Sequence, residues 1–584
     1  MSDQVIADYV VVGAGSSGAV LANRLSADPR NSVVLLEAGP EDKNKFAHIP
    51  AAFSKLFRSD VDWNYDCEPQ PELKGRSIFW PRGKMLGGSS SMNAMMWVRG
   101  FAADYDEWAS LSDSTWSFEN VVPYFRKIES IENTTALDAG QAGPLVVSNQ
   151  RSPRALTQSF LEAVQQAGFP VEEANLPEPK GFSQTMVNQK RGARWSTADA
   201  YLKPIRKRSN LTVLTEAHVT RVIFDGSAAV GVEYVRAGVT RTARATKEVV
   251  LAGGAVNTPM LLMHSGIGDR EQLAAHGITV KHHAPQVGKN LTDHLSALIG
   301  WSVERDSLFF AEKIPQLINY LVRRRGMLTS NVGEAYGFMR SRDGLKLPDV
   351  ELIYAPAPFF DEGLIAPDAH AAVIGSILLK PESRGEISLR SADPTAKPII
   401  EPNYLSDPEG ADRAAMIEGL RMCTYIASQP ALKGLLGNIV RPSGDPDDLL
   451  TEALEQNAHT LYHPVSTCRM GNDSTSVVAP DLRVRGVDKL RVADASIMPT
   501  IIRGHTHAPA VLIGEKASDL ILRGLSRPGA SGRSTTATTT PGRARRRRRS
   551  WQELRFRVPR SPRSRSRRPP VRRDQRIVHS GRRG

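Results

Sequence analysis

The segment DYVVVGAGSSGAVLANRLSADPRNSVVLLEAG, residues 8–39, predicts a strand, a glycine-rich turn, a helix and a second strand. Residues 9–12 form a short apolar run rich in β-branched valine, which suits a strand buried on both faces. Gly13, Gly15 and Gly18 follow with the GxGxxG spacing. This order of elements is typical of an α/β domain that binds a dinucleotide.

The glycine turn has the features that a pyrophosphate site requires. Gly13 permits the tight turn, Gly15 lets the backbone approach the phosphates, and Gly18 lets the helix pack close to the strand. The N terminus of the helix offers N–H groups and a partial positive charge. Glu37 lies 19 residues after Gly18, where an acidic side chain can accept hydrogen bonds from ribose hydroxyls. The motif alone does not separate FAD from NAD.

The length and the cysteines limit the class of protein. A chain of 584 residues is expected to form about two to four domains. Cys67, Cys423 and Cys468 are far apart and show no CxxC spacing, which argues against a disulfide framework or a structural zinc site. A reducing, cytoplasmic setting is the simplest interpretation.

The sequence shows no targeting or membrane-spanning segment. The start, MSDQVIADYVVVGAG, lacks a basic n-region, so we expect no secretory signal. No apolar run reaches the roughly 18 residues that a spanning helix needs. Peripheral contact with a membrane stays open.

The positive charge is concentrated at the C terminus. Residues 527–584 contain 20 arginines, no lysine and two acids, a net charge of +18, whereas the other 526 residues carry −5. Few large apolar residues and many prolines and serines predict that residues 526–584 form a disordered tail. Two interpretations stay open: an arm that binds nucleic acid or another anionic surface, and an extension without a selected role. The absence of lysine favours the second.

Residues 83–100, GKMLGGSSSMNAMMWVRG, form another segment of small residues. Gly87, Gly88, Ser89 and Ser90 give a surface on which a flat, charged cofactor can lie, with backbone N–H and hydroxyl donors available. The segment resembles the first signature of the glucose–methanol–choline (GMC) oxidoreductases, FAD-dependent alcohol dehydrogenases and oxidases. The resemblance implies that the dinucleotide is FAD.

Three further segments extend the resemblance over most of the chain. The second family signature is resembled by residues 254–268, GAVNTPMLLMHSGIG. The third block of the family is resembled by residues 463–471, HPVSTCRMG. LRVADASIMPTIIRGHTHAPAVLIGEKASDLI at 490–521 resembles the fourth. The blocks occur in the family's order from about residue 7 to 523, and the chain is most similar to the choline dehydrogenase-like branch.

The resemblance implies the GMC oxidoreductase fold, which is of the α/β class. We expect a discontinuous, Rossmann-like FAD-binding domain formed by residues 1–155, 195–300 and 455–525. A substrate-binding domain of the α+β type, a sheet with helices, is expected from residues 156–194 and 301–454. Residues 526–584 form the tail.

The resemblance also implies a set of FAD contacts. The expected cofactor-binding residues are Gly13, Gly15, Ser16, Ser17, Gly18, Glu37, Ala38, Gly83, Leu86, Gly87, Ser89, Ser90, Asn93, Ala94, Val219, Ala252, Asp494, Ala495, Thr506, His507 and Ala508. Some choline-oxidising relatives attach FAD covalently through a histidine just before the asparagine that matches Asn93. Met92 stands at that position and cannot form the bond, so FAD is expected to be non-covalent.

The histidines of the third and fourth blocks give the predicted acid–base site. By itself RGHTHAP, residues 503–509, fits a metal-ligand pair, two core side chains or an acid–base site. Oxidation of an alcohol requires a base, and histidine suits because its pKa lies near neutral. The resemblance makes His463 the catalytic histidine and His505 its partner across the substrate oxygen; which one is the base stays open. No companion ligands with metal spacing are visible, so no metal is expected.

The other histidines carry less information. His507 is expected either at the pyrimidine edge of the flavin or in a structural role. Four other histidines lie in no such motif and are interpreted as structural or surface residues: His264, His282, His283 and His459.

The expected reaction is oxidation of a primary, choline-like alcohol to the aldehyde, by hydride transfer to flavin N5 with a histidine as general base. Glu334 matches a glutamate of choline-type dehydrogenases, and Tyr462, Trp63 and Trp97 are candidates for the pocket wall. Uncharged aliphatic or aromatic alcohols are the alternative substrates. The electron acceptor is a quinone, another carrier or, for an oxidase, O2; a nucleic-acid partner is the remote alternative. The oligomeric state is not assigned.

Overall fold

The computed structural model describes residues 4–132, 140–365, 367–443 and 448–525. These lie within one compact unit, Met1–Arg527. The predicted disorder of residues 526–584 concerns a segment outside the described residues.

The first sheet contains the predicted glycine-turn strands. Its order is Leu211–Leu214, Val33–Leu36, Gln4–Val12, Val239–Leu251, Ala228–Arg236 and His218–Asp225, with Leu490–Val492 also paired to Val239–Leu251. Val33–Leu36 and Gln4–Val12 run parallel, with Val10 opposite Val34, and Val10 also lies opposite Val249. Both predicted strands are confirmed, and the parallel part of the sheet is of the Rossmann-like α/β type.

Close packing around the turn explains the need for glycine. Gly13 has φ +94°, a conformation that L side chains rarely adopt. A Cβ on Gly18 would overlap the carbonyl oxygen of Gly13. The helix Gly18–Leu25 therefore lies directly against the strand that precedes it, and the helix His507–Leu525 packs beside it, held by a 2.6 Å bond from Ser17 Oγ to the carbonyl of Ala510.

The second sheet is antiparallel. Its order is Leu436–Arg441, Leu295–Val303, Ala371–Leu378, Val350–Ala355, Ala335–Met339 and Phe182–Gln184, with His459–Thr460 also paired to Leu295–Val303. The helix Ala411–Ala427 covers one face. A mixed, partly parallel sheet with helices and an antiparallel sheet with helices together give the expected α/β fold with its α+β part. The strand Leu295–Val303 crosses the expected boundary at 300, and His459–Thr460 lies beyond that at 455.

The remaining elements connect and flank the two sheets. The other α-helices are Ala102–Leu111, Phe118–Ile128, Ala155–Gln166, Gly254–His264, Arg270–Ala275, Ile314–Arg323, Pro430–Lys433 and Leu449–Asn457. The short strands are Tyr65–Asp66, Phe79–Trp80, Glu129–Ile131, Leu145–Asn149, Met186–Val187, Gln189–Lys190, Ala193–Arg194, Ile267–Gly268, His282–His283, Glu386–Ser388 and Ile399–Glu401.

Cys67, Cys423 and Cys468 are buried free thiols. Within the described part of the chain, none of the helices combines the length and the apolar character needed to cross a bilayer.

Candidate active site

A cavity of about 340 Å³ runs from the glycine turn to the second sheet. One end is lined by residues at the carboxyl ends of parallel strands, among them Val12, Leu36 and Ala252. Open α/β sheets bind ligands at this edge. The other end is lined by residues of the antiparallel strands, including Leu298 and Ala355.

Two glycine segments form a narrow cradle at the first end. A Cβ on Gly13 would lie 2.5 Å from the carbonyl oxygen of Ala252, and a Cβ on Gly88, which has φ +52°, would lie 2.8 Å from the Cα of Gly15. A Cβ on Gly15 would meet nothing nearer than the Cα of Gly88, at 4.0 Å. The turn therefore leaves backbone exposed to the cavity next to the start of a helix, which fits the pyrophosphate of a dinucleotide.

Most of the predicted cofactor residues line this cavity. They are Gly13, Gly15, Ser16, Ser17, Glu37, Ala38, Gly83, Ser89, Asn93, Ala94, Val219, Ala252, Asp494, Ala495, Thr506 and His507. Met92 lines it too, so a thioether stands where a covalent flavin link would need a histidine nitrogen.

Five predicted cofactor residues are not among those that line the cavity. Gly18 packs against Gly13, and Ala508 is fully buried in the helix His507–Leu525. The hydroxyl oxygen of Ser90 lies within hydrogen-bond distance, 2.7 Å, of Thr197 Oγ1. The N–H of Leu86 donates to the carbonyl of Pro40, and the N–H of Gly87 donates to the carbonyl of Ala14. All five support the wall from behind.

Glu37 and Asp494 are buried acids that hold the cradle together. Glu37 accepts the N–H of Ala14 and of Gly39, each at 2.9 Å, and burial raises its pKa to about 7. Asp494 accepts the N–H of Gly254 at 2.8 Å and the hydroxyl of Thr258 at 2.6 Å. Both side chains therefore fix the loops around the cavity, and Glu37 keeps lone pairs for a ribose hydroxyl.

His507 belongs to the cofactor end of the cavity. Its Nδ1 lies 3.1 Å from Ser16 Oγ, and its ring meets the ring of Trp97 edge-on at 5.7 Å. Burial lowers its pKa to about 4, so the ring is neutral at pH 7. It is the first residue of the helix His507–Leu525.

His463 and His505 come together at the other end, as predicted. Their ring centroids are 4.8 Å apart, with an interplanar angle of 85°, and both residues line the cavity. The N–H of His463 donates to Asp293 Oδ1 at 2.7 Å, which fixes the backbone at that point. The pair is thus placed where a small substrate would meet the cofactor end.

A third histidine, absent from the prediction, determines the tautomer of His463. His294 Nε2 lies 3.1 Å from the carbonyl oxygen of Leu379, and its Nδ1 lies 2.9 Å from His463 Nδ1. A carbonyl only accepts, so His294 carries its proton on Nε2 and accepts at Nδ1. His463 must therefore donate from Nδ1, which leaves its Nε2 lone pair free.

Burial keeps these two rings neutral. It lowers the pKa of His294 to about 3. It also lowers the pKa of His463 well below its ordinary value, because the ring is enclosed in the protein interior beside two other histidines. An unprotonated His463 Nε2 is the form that a general base requires.

His505 has a buried carboxylate as its partner. Its Nε2 lies 3.0 Å from Glu351 Oε1, and Glu351 is fully buried. Glu351 Oε2 has no hydrogen-bond partner among the described residues. The buried carboxylate of Glu351 therefore lies directly against the imidazole of His505 within the site.

The sequence could not identify His294 and Glu351 because neither lies in a block with the residue it contacts. Glu351 is 154 positions from His505, and His294 is 169 positions from His463. Antiparallel pairing brings both to the site, since His294 precedes the strand Leu295–Val303 and Glu351 lies in Val350–Ala355. The available signal was an acid within an otherwise apolar strand, VELIYA.

Glu334, a predicted substrate residue, is held by hydrogen bonds away from the cavity. Its Oε2 accepts the N–H of Arg154 at 2.8 Å and the hydroxyl of Thr157 at 2.6 Å, and its Oε1 accepts the hydroxyl of Ser330 at 2.6 Å. It is fully buried and lies outside the cavity wall. The carboxylate joins segments of the second sheet and its helices.

Two of the other three predicted pocket residues line the cavity, and the third does not. Tyr462 and Trp63 line the cavity. Trp97 does not, because it lies behind His507 and donates from Nε1 to Glu129 at 2.7 Å. His264 and His459, expected to be only structural or surface residues, also line the cavity, and each has an Nε2 without a hydrogen-bond partner in the described part of the chain.

The wall beside the two catalytic-site histidines is apolar and aromatic. It includes Phe53, Phe57, Phe359 and Met92, and the ring of Phe57 lies 5.7 Å from that of Tyr462. Arg82 also lines the cavity and donates to the carbonyl of Tyr462 at 2.6 Å. Among the described lining residues, the only acids are Glu37 and Asp494, both committed to the glycine cradle.

One group of side chains has the spacing of metal ligands in the described part of the chain, and it lies away from the histidines. It consists of Asp42, His48 and Asp199. The ammonium group of Lys203 is 2.9 Å from Asp42 and 2.6 Å from Asp199, and it supplies the positive charge there.

Comparison with known proteins agrees with this geometry. Two profiles described as GMC oxidoreductase match the chain, an N-terminal one over residues 7–296 and a C-terminal one over residues 381–514. Together they include the glycine cradle and both site histidines.

Several curated proteins are similar over nearly their whole length. An uncharacterized GMC-type oxidoreductase of Mycobacterium tuberculosis is 63% identical, covering 88% of this chain and 99% of the relative. The alcohol dehydrogenase [acceptor] of Pseudomonas putida is 41% identical, over 88% and 96%. The mitochondrial choline dehydrogenase of Homo sapiens is 40% identical, over 88% and 89%.

A solved structure shares the fold. The crystal structure of pyridoxine 4-oxidase from Mesorbium loti is 31% identical, with a TM-score of 0.80, over 88% of this chain and 98% of that one. The cradle, the donor groups around it and these relatives all fit FAD as the dinucleotide.

Proposed function

Because the chain belongs to the GMC oxidoreductase family and therefore binds FAD, we propose that it oxidises an uncharged primary alcohol to the aldehyde, with His463 as the general base. Bound FAD supplies the acceptor for the carbinol hydride. The residues of this chain bind the alcohol, remove its hydroxyl proton and stabilise the oxygen that remains.

The hydrogen bond between His294 and His463 is the observation that carries the assignment of the base. It orients the ring of His463 and leaves the Nε2 lone pair available. The lowered pKa of His463 keeps that nitrogen unprotonated at pH 7. A neutral imidazole whose proton is fixed on the other nitrogen can take the hydroxyl proton without first losing one.

His505 has the complementary role in this proposal. Its buried partner Glu351 balances a positive charge on the imidazole, and the ring lies 4.8 Å from that of His463. A cationic donor beside the substrate oxygen stabilises the alkoxide that forms as His463 accepts the proton. Two rings around one oxygen thus act as one base and one donor.

An uncharged substrate is favoured by the charges around the cavity. Glu334, the expected counter-charge for choline, is taken up by three hydrogen bonds away from the cavity. Arg82 places a cation near Tyr462 instead. Among the described residues that line this end, none offers a carboxylate to a quaternary ammonium group.

Choline is the second candidate because the same wall is aromatic. Phe53, Phe57, Phe359 and Tyr462 line the cavity, and aromatic faces attract quaternary ammonium groups. Relatives named for an alcohol and for choline are almost equally similar to this chain, so overall identity does not decide between them.

A panel of alcohols tests the proposal without assuming an acceptor. The purified flavoprotein would be mixed under anaerobic conditions with 1-butanol, 1-octanol, benzyl alcohol and choline, and flavin bleaching recorded. Aliphatic or aromatic alcohols should reduce the flavin at lower concentration than choline does. Reduction by choline alone would reject the uncharged substrate while leaving the role of His463 intact.

The acceptor is tested separately. We propose a dehydrogenase that passes electrons to a quinone or another carrier, with the oxidase as the alternative. Turnover with an artificial quinone should exceed turnover with O2. The nucleic-acid hypothesis depends on residues 526–584, outside the described residues, and forms no part of this proposal.

A further inference from the structure

The helix Ile314–Arg323 presents its apolar side to solvent. Ile314, Leu317, Ile318, Leu321 and Val322 follow the i, i+3, i+4, i+7, i+8 spacing of one helix face and are between 40% and 76% exposed. In a globular protein such a stripe normally faces the core. This helix is therefore oriented with its apolar face outward.

The opposite side of the helix anchors it. Tyr320 is almost completely buried, and its hydroxyl donates to the carbonyl of His48 at 3.1 Å. Tyr320 also belongs to the same apolar cluster as Leu308 and Leu328, just before and after the helix. The outward direction of the apolar face is thus fixed by packing.

The exposed apolar surface extends beyond the helix. Phe310 precedes it and is also exposed. An apolar surface of this kind marks an interaction site. We call it the docking face: Phe310, Ile314, Leu317, Ile318, Leu321 and Val322.

The charges at the two ends of the helix are positive except for Glu312, which forms a salt bridge with Lys55. Lys313 precedes it, and Arg323, Arg324 and Arg325 end and follow it, all exposed. Residues 313–325 contain no acid. An apolar helix face with basic residues beside it is the pattern of helices that lie in the interface of a bilayer, and anionic lipids attract such residues.

The helix is connected to the catalytic cavity. Tyr320 and Ala311 share an apolar cluster with Phe53, Phe57 and Met92, which line the cavity next to the site histidines. Continuous apolar packing therefore leads from the docking face to the substrate end.

We propose that the docking face binds the surface of an anionic bilayer, with the apolar stripe of the helix Ile314–Arg323 inserted at the boundary of headgroups and acyl chains. Docking brings the apolar end of the cavity to the reservoir in which uncharged alcohols dissolve; this second step rests on the proposed function, and the docking itself does not. Self-association through the same face would bring two sets of cations together without an acidic partner on either helix, which favours a membrane over a second copy.

A single labelled thiol tests the insertion in the full chain. The three native cysteines are buried, so Ile318→Cys creates an exposed thiol that takes a polarity-sensitive dye. Val239→Cys, on an exposed apolar residue of the first sheet, is the matched control. Vesicles of phosphatidylcholine, with and without about 30% phosphatidylglycerol, are added to each protein.

The dye at position 318 should shift to shorter wavelength with the anionic vesicles and the dye at 239 should not. Adding Leu321→Glu to Ile318→Cys should raise the lipid concentration for half the shift by about tenfold or more, whereas adding Val239→Glu should leave it unchanged. Turnover of a water-soluble alcohol should stay the same in both, which separates failure of docking from failure of the proposed chemistry.

Two outcomes overturn the proposal. In the first, the protein would sediment with the vesicles without a shift of the dye at position 318, which would show binding through the arginine-rich residues 527–584 alone. Alternatively, the dye shifts without vesicles as protein concentration rises, which would assign the face to a second copy of the chain.

Discussion

His294 and His463 face each other Nδ1 to Nδ1 at 2.9 Å, and the carbonyl of Leu379 determines which ring donates. The contact orients the base without a carboxylate. A carboxylate partner would raise the pKa of His463, whereas a buried neutral imidazole leaves it low. Of the two site histidines, it is the ring of His505 that has a carboxylate partner, the side chain of Glu351.

The pH dependence of flavin reduction should reflect this low pKa. A group whose pKa lies well below its ordinary value of about 6.5 stays unprotonated through neutral pH. The anaerobic rate with saturating alcohol should therefore be level between pH 6 and 8 and should fall only on further acidification. A sigmoidal loss with a midpoint near pH 6.5 would contradict the description of His463.

The matched variants at position 294 separate orientation from folding. His294→Leu removes the acceptor for the Nδ1 proton of His463, so both tautomers and more ring orientations become accessible. We expect the limiting rate to fall by about tenfold, with FAD content unchanged. In His294→Gln the amide oxygen can accept the hydrogen bond from the Nδ1–H of His463, so this variant should recover most of the rate. Equal rates in both variants would reduce His294 to a packing residue.

His505 and Glu351 should act as a unit. His505→Ala should lower flavin reduction by a factor similar to or smaller than that for loss of the base, and His505→Asn should retain more activity because its amide still bonds the substrate oxygen. Glu351→Gln removes the counter-charge and should cost about tenfold in kcat, with little added loss when combined with His505→Ala. Additive losses would show independent roles. A chelator should change nothing; inhibition that zinc reverses would restore the metal-ligand hypothesis.

The glycine turn and the two strands beside it were predictable because they form a local pattern, whereas the pairing of His463 with His505 was expected from the family resemblance. His294 and Glu351 were not predicted, since each contacts a site histidine more than 150 positions away in the sequence. The hydrogen bonds of Glu334 could not be predicted either: the residue type matches a family position, but only the structure shows that Arg154, Thr157 and Ser330 donate to its two oxygens. The outward apolar face of the helix Ile314–Arg323 was missed because periodicity gives a stripe and not its direction.

Glu334 should be a stability residue. Glu334→Gln keeps the shape but cannot accept all three hydrogen bonds, so the free energy of unfolding should fall by about 1–3 kcal/mol. The ratio of kcat/KM for choline to that for an uncharged alcohol should not change. A loss confined to choline would return Glu334 to the substrate site.

FAD should leave the protein on denaturation. Met92 lines the cavity at the position where a tethering histidine would be needed, and a thioether does not form that bond. Acid precipitation should give a colourless pellet and a yellow supernatant. Yellow colour that stays with the washed pellet would show a covalent link elsewhere.

The most direct test of the account is the rate of flavin reduction in His463→Ala, measured by anaerobic stopped-flow with the best alcohol of the panel. Removal of the general base should lower the limiting rate by about 10²–10⁴-fold while FAD content and thermal stability remain near those of the wild type. Reduction of the flavin at the wild-type rate would show that His463 is not the base, and the proposed mechanism would have to be abandoned.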